Sequence, residues 1–328
     1  MGLNMESTDS VTVSTGHYLP IYLDSLLPGT EVEFDLYLQN GDAMVLYVTA
    51  GTVFSEDARR TLLESSVSRL FVASRDQRAY RLYLEGHLSK IASDKSVKES
   101  VRAGIVYDCA KYLLEDLFAR PAMSENIRRS QELVASTVGF VLTGRAAFES
   151  LLRVMSFDYS TYTHSVNVCA LSLALAQFAG IRDPKDLRIL GTGALLHDIG
   201  KTRIDDAILN KVEPLTDTEA ELIRKHPQWG CDILKDTDLI DQESYHPILQ
   251  HHERENRTGY PYGVGASGIH VYGKITAIAD VFDAMTTRRV YRSAVDAYPA
   301  LKSMFAREGA FDRYLLEQFA KALVPEES

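Results

Sequence analysis

Apolar side chains recur along this chain first at every second position and later at helical spacing, and that change of period separates a mixed region from a helical one. Near the start, Val32-Glu33-Phe34-Asp35-Leu36-Tyr37-Leu38 alternates apolar and polar residues, and Asn40-Gly41 then leads into Ala43 to Val48. Two such runs joined by Asn-Gly predict a β-hairpin. Ser55-Glu56-Asp57 puts a capping side chain ahead of an acidic first turn and predicts a helix, Arg69 to Val72 a strand, and Gln77 to Leu88 a second helix. Residues 17–92 are therefore expected to form a small α/β module behind a polar tail, residues 1–16, expected to be mobile. No phosphate loop, metal cluster or nucleophile arrangement stands out in that module.

Strand signals stop at about residue 97. Val106, Leu113, Leu114 and Leu117, then Ile127, Leu133, Val134, Val138 and Val141, recur at helical spacing. Residues 93–149 accordingly read as a helical connector, either a dimer stalk or a cover for the core of the C-terminal domain. The rest, 150–328, is helical by pattern, giving a multidomain chain with an α/β module followed by an all-α domain. Thr216-x-x-Glu219 is a capping box for a helix starting near Asp217, and Pro227 interrupts that helix immediately after His226. Such a break frees local backbone and can turn the His226 ring inward.

A length of 328 residues suits two or three domains, and 45% hydrophobic with 24% charged residues is ordinary for a globular protein. The net charge of -10 argues against a broad surface for nucleic-acid polymers, which needs clustered cations. A small anionic substrate stays open, because a local metal and a few Lys or Arg can reverse the field inside one pocket. Cys109, Cys169 and Cys231 are far apart and form no C-x-x-C pair, so neither a disulfide framework nor a thiolate zinc site is supported. The start lacks the apolar core of a signal peptide, and the longest apolar stretch, near Val166 to Ala179, is too short to span a membrane. A cytoplasmic protein with no membrane span is expected.

The chemistry concentrates in the helical half. Of nine histidines, seven fall between His164 and His270. His197 and Asp198 end the pattern Leu187, Leu190, Ala194, Leu195, with Gly200 expected to cap that helix at its C-terminus. An anionic Asp at the negative pole of a helix is unfavourable unless a cation is close, and a bound metal would supply one. Adjacent His251 and His252 differ by about 100° on a helix, so they can reach two neighbouring ions rather than share one face. Asp280 and Asp283 lie three apart in an apolar stretch and do share a face. Asp280 reads as a ligand; for Asp283 two roles stay open, a further ligand or a hydrogen-bonding support. With His164 and His226, five imidazoles and two carboxylates make a set suited to iron, manganese or zinc.

Taken in order, Leu195-Leu196-His197-Asp198-Ile199-Gly200-Lys201, His226-Pro227, His251-His252-Glu253 and Gly259-Tyr260-Pro261 resemble the HD-GYP domain, a subgroup of the HD phosphohydrolase superfamily. The resemblance covers roughly residues 150–325. It implies an all-helical fold, a binuclear or trinuclear metal centre, and hydrolysis of the bacterial second messenger cyclic di-GMP. His164, His197, Asp198, His226, His251, His252 and Asp280 match the family's metal ligands, with Asp198 bridging two ions. Lys201 matches a lysine that contacts the substrate phosphate, Gly259, Tyr260 and Pro261 form the loop beside the pocket, and Arg289 and Arg292 match basic positions linked to substrate binding. Members with a third metal carry a Glu four residues before the first ligand histidine, where this chain has Ser160. Two divalent transition-metal ions, iron or manganese, are therefore expected.

Phosphodiester hydrolysis needs a nucleophile, neutralised non-bridging oxygens and help for the leaving alkoxide. Two ions about 3.5 to 4 Å apart can provide all three through a bridging hydroxide, with Asp198 and Lys201 as the catalytic side chains. The product would be linear pGpG, and GMP after a second turnover. Two other functions fit parts of the pattern: a catalytically weak cyclic-dinucleotide sensor or docking protein, and an HD phosphohydrolase acting on mononucleotides or a hybrid cyclic dinucleotide. Expected partners are cyclic di-GMP, a second copy of the chain through helices within 97–150, and cyclic-dinucleotide signalling proteins.

Overall fold

A computed structural model describes residues 12–13, 17–155, 160–287 and 295–323. The chain divides into two compact units, residues 1–105 and 106–328.

In the first unit, strands β1 (Thr12–Val13), β2 (Tyr18–Tyr22), β3 (Thr30–Val32), β4 (Leu36–Asn40), β5 (Ala43–Val48) and β6 (Thr52–Phe54) precede helix α1 (Glu56–Glu64), strand β7 (Arg69–Ala73) and helix α2 (Gln77–Ser93). An antiparallel sheet has the order β1-β5-β4-β7-β2, and β3 pairs with β6 in a second, two-stranded sheet. The hairpin expected at Asn40-Gly41 joins β4 to β5, with Gly41 at φ 59° as the turn demands. The strand expected over 32–38 is instead two. Val32 belongs to β3, and a register shift between Leu36 and Tyr37 puts both of those side chains inside, which breaks strict alternation. Strand β2 was not foreseen, because Pro20 interrupts its pattern; it is an edge strand, where a missing N–H is tolerated. Two residues of the expected mobile tail form β1 at the opposite edge, and the remainder of 1–16 lies outside the described residues. Tyr80 and Tyr83 of α2 pack edge-on against Phe34, with ring centroids 5.5 Å away in each case. Burying a side chain of that size stabilises by roughly 1.5 to 3 kcal/mol.

Helix α3 (Glu99–Ala119) begins before the division, and the second unit continues through α4 (Ser124–Val141), α5 (Arg145–Val154), α6 (Thr161–Phe178), α7 (Pro184–Leu195), α8 (Asp206–Leu209), α9 (Asp217–Ile223), α10 (His226–Lys235), α11 (Tyr245–Gln250), α12 (Val271–Thr286), α13 (Ala297–Phe305) and α14 (Arg313–Leu323). Every residue of α6 from Thr163 to Ala176 is buried, as an apolar surface all round requires. Around it pack α7, α12, α14 and α4. Helix α4 lies along α7, and Gln131 donates to the Leu239 carbonyl at 2.8 Å, so this part of the expected connector covers the helical core. Among the described residues no helix is long and apolar enough to cross a membrane.

Two local expectations change in detail. The capping box at Thr216 and Glu219 opens α9 as foreseen, but Pro227 does more than end a helix: it occupies the first turn of α10, where its missing N–H has no intrahelical role. Gly200 is not a helix cap. Helix α7 ends at Leu195, and Gly200 lies in a 3-10 turn (Ile199–Arg203) that presses on the start of α10. A Cβ there would stand 1.9 Å from the His226 carbonyl oxygen and 2.6 Å from the Gly230 nitrogen, so only glycine permits the contact.

Candidate metal centre

Five helices bring the chemistry-bearing side chains to one place. His164 sits in the first turn of α6, His197 and Asp198 follow α7, His226 opens α10, His251 and His252 follow α11, and Asp280 lies within α12. His164, His197, Asp198, His226, His251 and Asp280 are buried, and His252 is partly so. Ligand atoms of His226, His251 and His252 lie within 4.8 Å of one another, as do those of His164, His197 and Asp280, and those of His197, Asp198 and His251. All seven residues matched to metal ligands thus converge.

Helix ends set the orientation of three imidazoles. His197 Nδ1 lies 2.8 Å from the Ala194 carbonyl, His226 Nδ1 lies 2.7 Å from that of Ile223, and His251 Nδ1 lies 3.0 Å from those of Pro247 and Ile248. These carbonyls belong to the last turns of α7, α9 and α11, where intrahelical donors run out. Donation from Nδ1–H satisfies the helix end and leaves each Nε2 lone pair facing the cluster. His164 is held differently: its Nδ1 donates to Asp283 Oδ2 at 2.7 Å, and Asn167 donates to Asp283 Oδ1 at 2.8 Å. Asp283 therefore supports His164 instead of facing the cluster.

The two oxygens of Asp198 look in different directions. Oδ1 is 3.3 Å from His226 Nε2 and 4.0 Å from His251 Nε2. Oδ2 is 2.6 Å from Lys201 Nζ, 3.4 Å from His197 Nε2 and 3.7 Å from His164 Nε2. Asp198 and Lys201 are three residues apart at a 3-10 turn, where side chains eclipse, and so the lysine supplies a cation at the negative end of α7. Burial opposes ionisation of Asp198, but Lys201 and then His197 outweigh it and hold this carboxyl well below the usual range. Burial likewise opposes ionisation of Asp280, which the hydrogen bond from His164 and the nearby His252 hold low. Burial pushes the His226 imidazole down to about 4, and it also pushes His251 and His252 well below their ordinary value.

Neutral imidazoles beside ionised carboxylates are the protonation states that metal binding requires. Two further observations fit a cation. His197 Nε2 and Asp198 Oδ1 are buried without a hydrogen-bond partner, which costs free energy unless something charged or polar meets them. His226 Nε2 and His251 Nε2 face each other at 3.1 Å with both Nδ1 atoms already engaged. Two lone pairs repel at that separation, whereas nitrogens bound at about 2.1 Å and near right angles to one ion stand about 3 Å apart.

One side of the centre is closed by the segment after His252. The Tyr260 ring stacks on His252 with centroids 4.5 Å apart and planes 28° from parallel, and the Arg224 guanidinium lies 5.9 Å from that ring. The Tyr260–Pro261 peptide is cis. Gly259 lies against the backbone of 252–254, where a Cβ would stand 2.4 Å from the His252 carbonyl oxygen. Glu253, which carried no assigned role from the sequence, anchors the loop. Only 2% exposed, it accepts from the backbone N–H of Tyr262 at 2.8 Å, Gly263 at 3.2 Å and Val264 at 3.1 Å. Its position directly after two candidate ligands was the only hint. Arg289 and Arg292 lie outside the described residues.

Comparison with known proteins agrees with this geometry. The family described as HD domain matches residues 144–315, which include every candidate ligand. A cyclic di-GMP phosphodiesterase of Pseudomonas aeruginosa is 37% identical over 231 residues, covering 70% of this chain and 56% of that protein. The cyclic di-GMP phosphodiesterase response regulator RpfG of Xanthomonas campestris pv. campestris is 28% identical over 295 residues, covering 88% and 71%. The chain thus spans little more than half the length of the Pseudomonas relative. Among solved structures, an HDGYP protein from Bdellovibrio bacteriovorus shares the fold, with a TM-score of 0.65, 24% identity, and coverage of 94% of this chain and 99% of that one. The chain belongs to the HD domain family.

Proposed function

We propose that this chain hydrolyses cyclic di-GMP, opening one ring phosphodiester to give linear pGpG, with GMP following a second turnover. The observation that carries this reading is Asp198, whose oxygens address two different sets of imidazoles. A carboxylate so placed suits two ions, one held by His164, His197 and Asp280 and the other by His226, His251 and His252, with Asp198 between them. Ser160 is engaged in capping α6, accepting from Thr163 N at 3.1 Å, at the position where a third ion would need a carboxylate.

Two divalent ions of the iron or manganese type, when bound, supply an activated water at neutral pH and neutralise the phosphate oxygens. Lys201 extends that positive region as charge develops on the phosphoryl oxygens, and its side chain is 18% exposed. Tyr260, fixed on His252 by the Glu253-anchored loop, forms a flat aromatic wall beside the site. Burial raises its hydroxyl above the ordinary tyrosine value, so it keeps its proton and can donate to a phosphate oxygen. Arg289 and Arg292 are proposed to add cationic contacts to the substrate. The names carried by the Pseudomonas and Xanthomonas relatives support this choice of substrate.

The test is purification without oxygen, elemental analysis, and chromatography of the products formed from cyclic di-GMP. Two ions per chain with pGpG as product support the proposal. Stoichiometric nucleotide binding without product would leave a sensor, and turnover confined to a hybrid cyclic dinucleotide would change the substrate.

A further inference from the structure

The support behind His164 does not stop at Asp283. Tyr107 on α3 donates its hydroxyl to Asn167 Oδ1 at 3.1 Å, Asn167 Nδ2 donates to Asp283 Oδ1 at 2.8 Å, Thr287 donates to the same oxygen at 3.1 Å, and His164 Nδ1 donates to Asp283 Oδ2 at 2.7 Å. Tyr107 is 6% exposed, Asn167 and Asp283 1% each, and Thr287 2%, so water does not substitute for these partners. Asn167 and His164 are three residues apart on α6 and share a face.

We propose that Tyr107 is a positioning residue of the metal centre, acting through Asn167 and Asp283 on His164. The chemistry of an amide makes the hydroxyl matter. An asparagine side chain can rotate to exchange its oxygen and NH2 group, and only one arrangement offers a donor to Asp283. Asp283 only accepts, so it draws the Asn167 NH2 group toward itself and turns the amide oxygen to α3, where the Tyr107 hydroxyl donates to it. Removing that hydroxyl takes a donor from a buried carbonyl oxygen, and the amide shifts to recover one at the expense of its alignment on Asp283. Asp283 then turns from its line with His164 Nδ1, and the imidazole loses the partner that holds its Nε2 in the cluster, 3.1 Å from Asp280 and 3.7 Å from Asp198.

This inference rests on the metal-centre reading above, and one experiment separates the two. Full-length chain stripped by chelator is titrated with Mn2+ for wild type, Tyr107→Phe, Asp283→Asn and the double variant. Removing a support of this kind weakens metal binding about 10- to 100-fold, expected for Asp283→Asn, and about 3- to 10-fold for Tyr107→Phe, which acts at one remove. The decisive readout is the cycle: in the Asp283→Asn background, Tyr107→Phe should change Mn2+ affinity no further, because its route is already cut. Should Asp283→Asn not fold, Asn167→Ala removes the middle link and serves as the background with the same expectation. Wild-type affinity in Tyr107→Phe, or additive losses in the double variant, would overturn the role given to Tyr107. A wild-type chain that binds no Mn2+ would overturn the metal reading and this inference with it.

Discussion

Stripped of metal by a chelator, the protein should lose stability on mild acidification, and His226 sets a lower bound on the loss. The ring is buried, and burial pushes its pKa to about 4, against about 6.5 for an exposed imidazole. Between those values the unfolded chain takes up a proton that the folded chain refuses. The stabilising contribution is therefore complete above about pH 6.5 and shrinks as pH falls toward 4, by about 1.4 kcal/mol per unit. From pH 7 to pH 5 this amounts to about 2 kcal/mol for His226. His251 and His252 are displaced in the same direction and add to the loss. Asp198 and Asp280, both held low, contribute only below about pH 4, where carboxylates of the unfolded chain begin to protonate. Urea unfolding at pH 7 and pH 5 can be followed by Trp229, the single tryptophan, which sits on α10 in the helical unit. His226→Asn keeps a donor for the Ile223 carbonyl and removes the titrating ring, so it should shrink the pH-dependent loss by about 2 kcal/mol. An identical pH slope in wild type and variant would refute the account of a neutral buried imidazole.

Asp198→Asn should lower metal content in elemental analysis and abolish hydrolysis, since the carboxylate proposed to serve two ions loses its charge; full occupancy with near-normal turnover would contradict the proposed bridging position. Lys201→Ala should keep metal and slow kcat by about 10²- to 10³-fold, as for removal of one preorganised donor to a developing anion. Metal loss in that variant would make the lysine structural. Gly200→Ala forces a methyl against the His226 carbonyl, so both Tm and metal content should fall, with overpacking costing about 1 to 3 kcal/mol or more; an unchanged Tm would discredit the contact. Glu253→Gln should speed amide hydrogen exchange at Tyr262, Gly263 and Val264 while metal stays bound, and unaltered protection there would count against the anchor.

The seven converging positions were legible because their residue types and order carry the chemistry directly. A histidine next to an aspartate at a helix end, then paired histidines, states a problem of charge and lone pairs that convergence solves. What stayed hidden depends on backbone. Glu253 binds three N–H groups, which any sequence provides, so no side-chain pattern announced it. Gly200 looked like a helix cap because glycine after a helix usually is one; its true constraint, the carbonyl of His226, comes from a segment 26 residues away. In the first unit, the alternation over 32–38 concealed a register shift at Leu36 and Tyr37, and Pro20 disguised an edge strand. Helical spacing put Asp283 on the face of Asp280 and left its role open between ligand and support; the partners that decide it, His164, Asn167 and Thr287, could not be paired with it by spacing, since the first two lie on another helix.

Because peptide carbonyls hold the rings of His197, His226 and His251 at Nδ1, the orientation of each ring is set by the backbone, and a cation has only to relieve the repulsion between Nε2 atoms that already face each other. Incoming cations meet lone pairs already aimed, so little reorganisation accompanies uptake. A rigid nitrogen-rich receptacle of that sort discriminates poorly among neighbouring first-row elements, whose intrinsic affinities follow a common series. Which element would fill it in a cell then falls to supply and oxidation state, so growth medium and exposure to air should alter the metal content of the purified protein without altering its architecture.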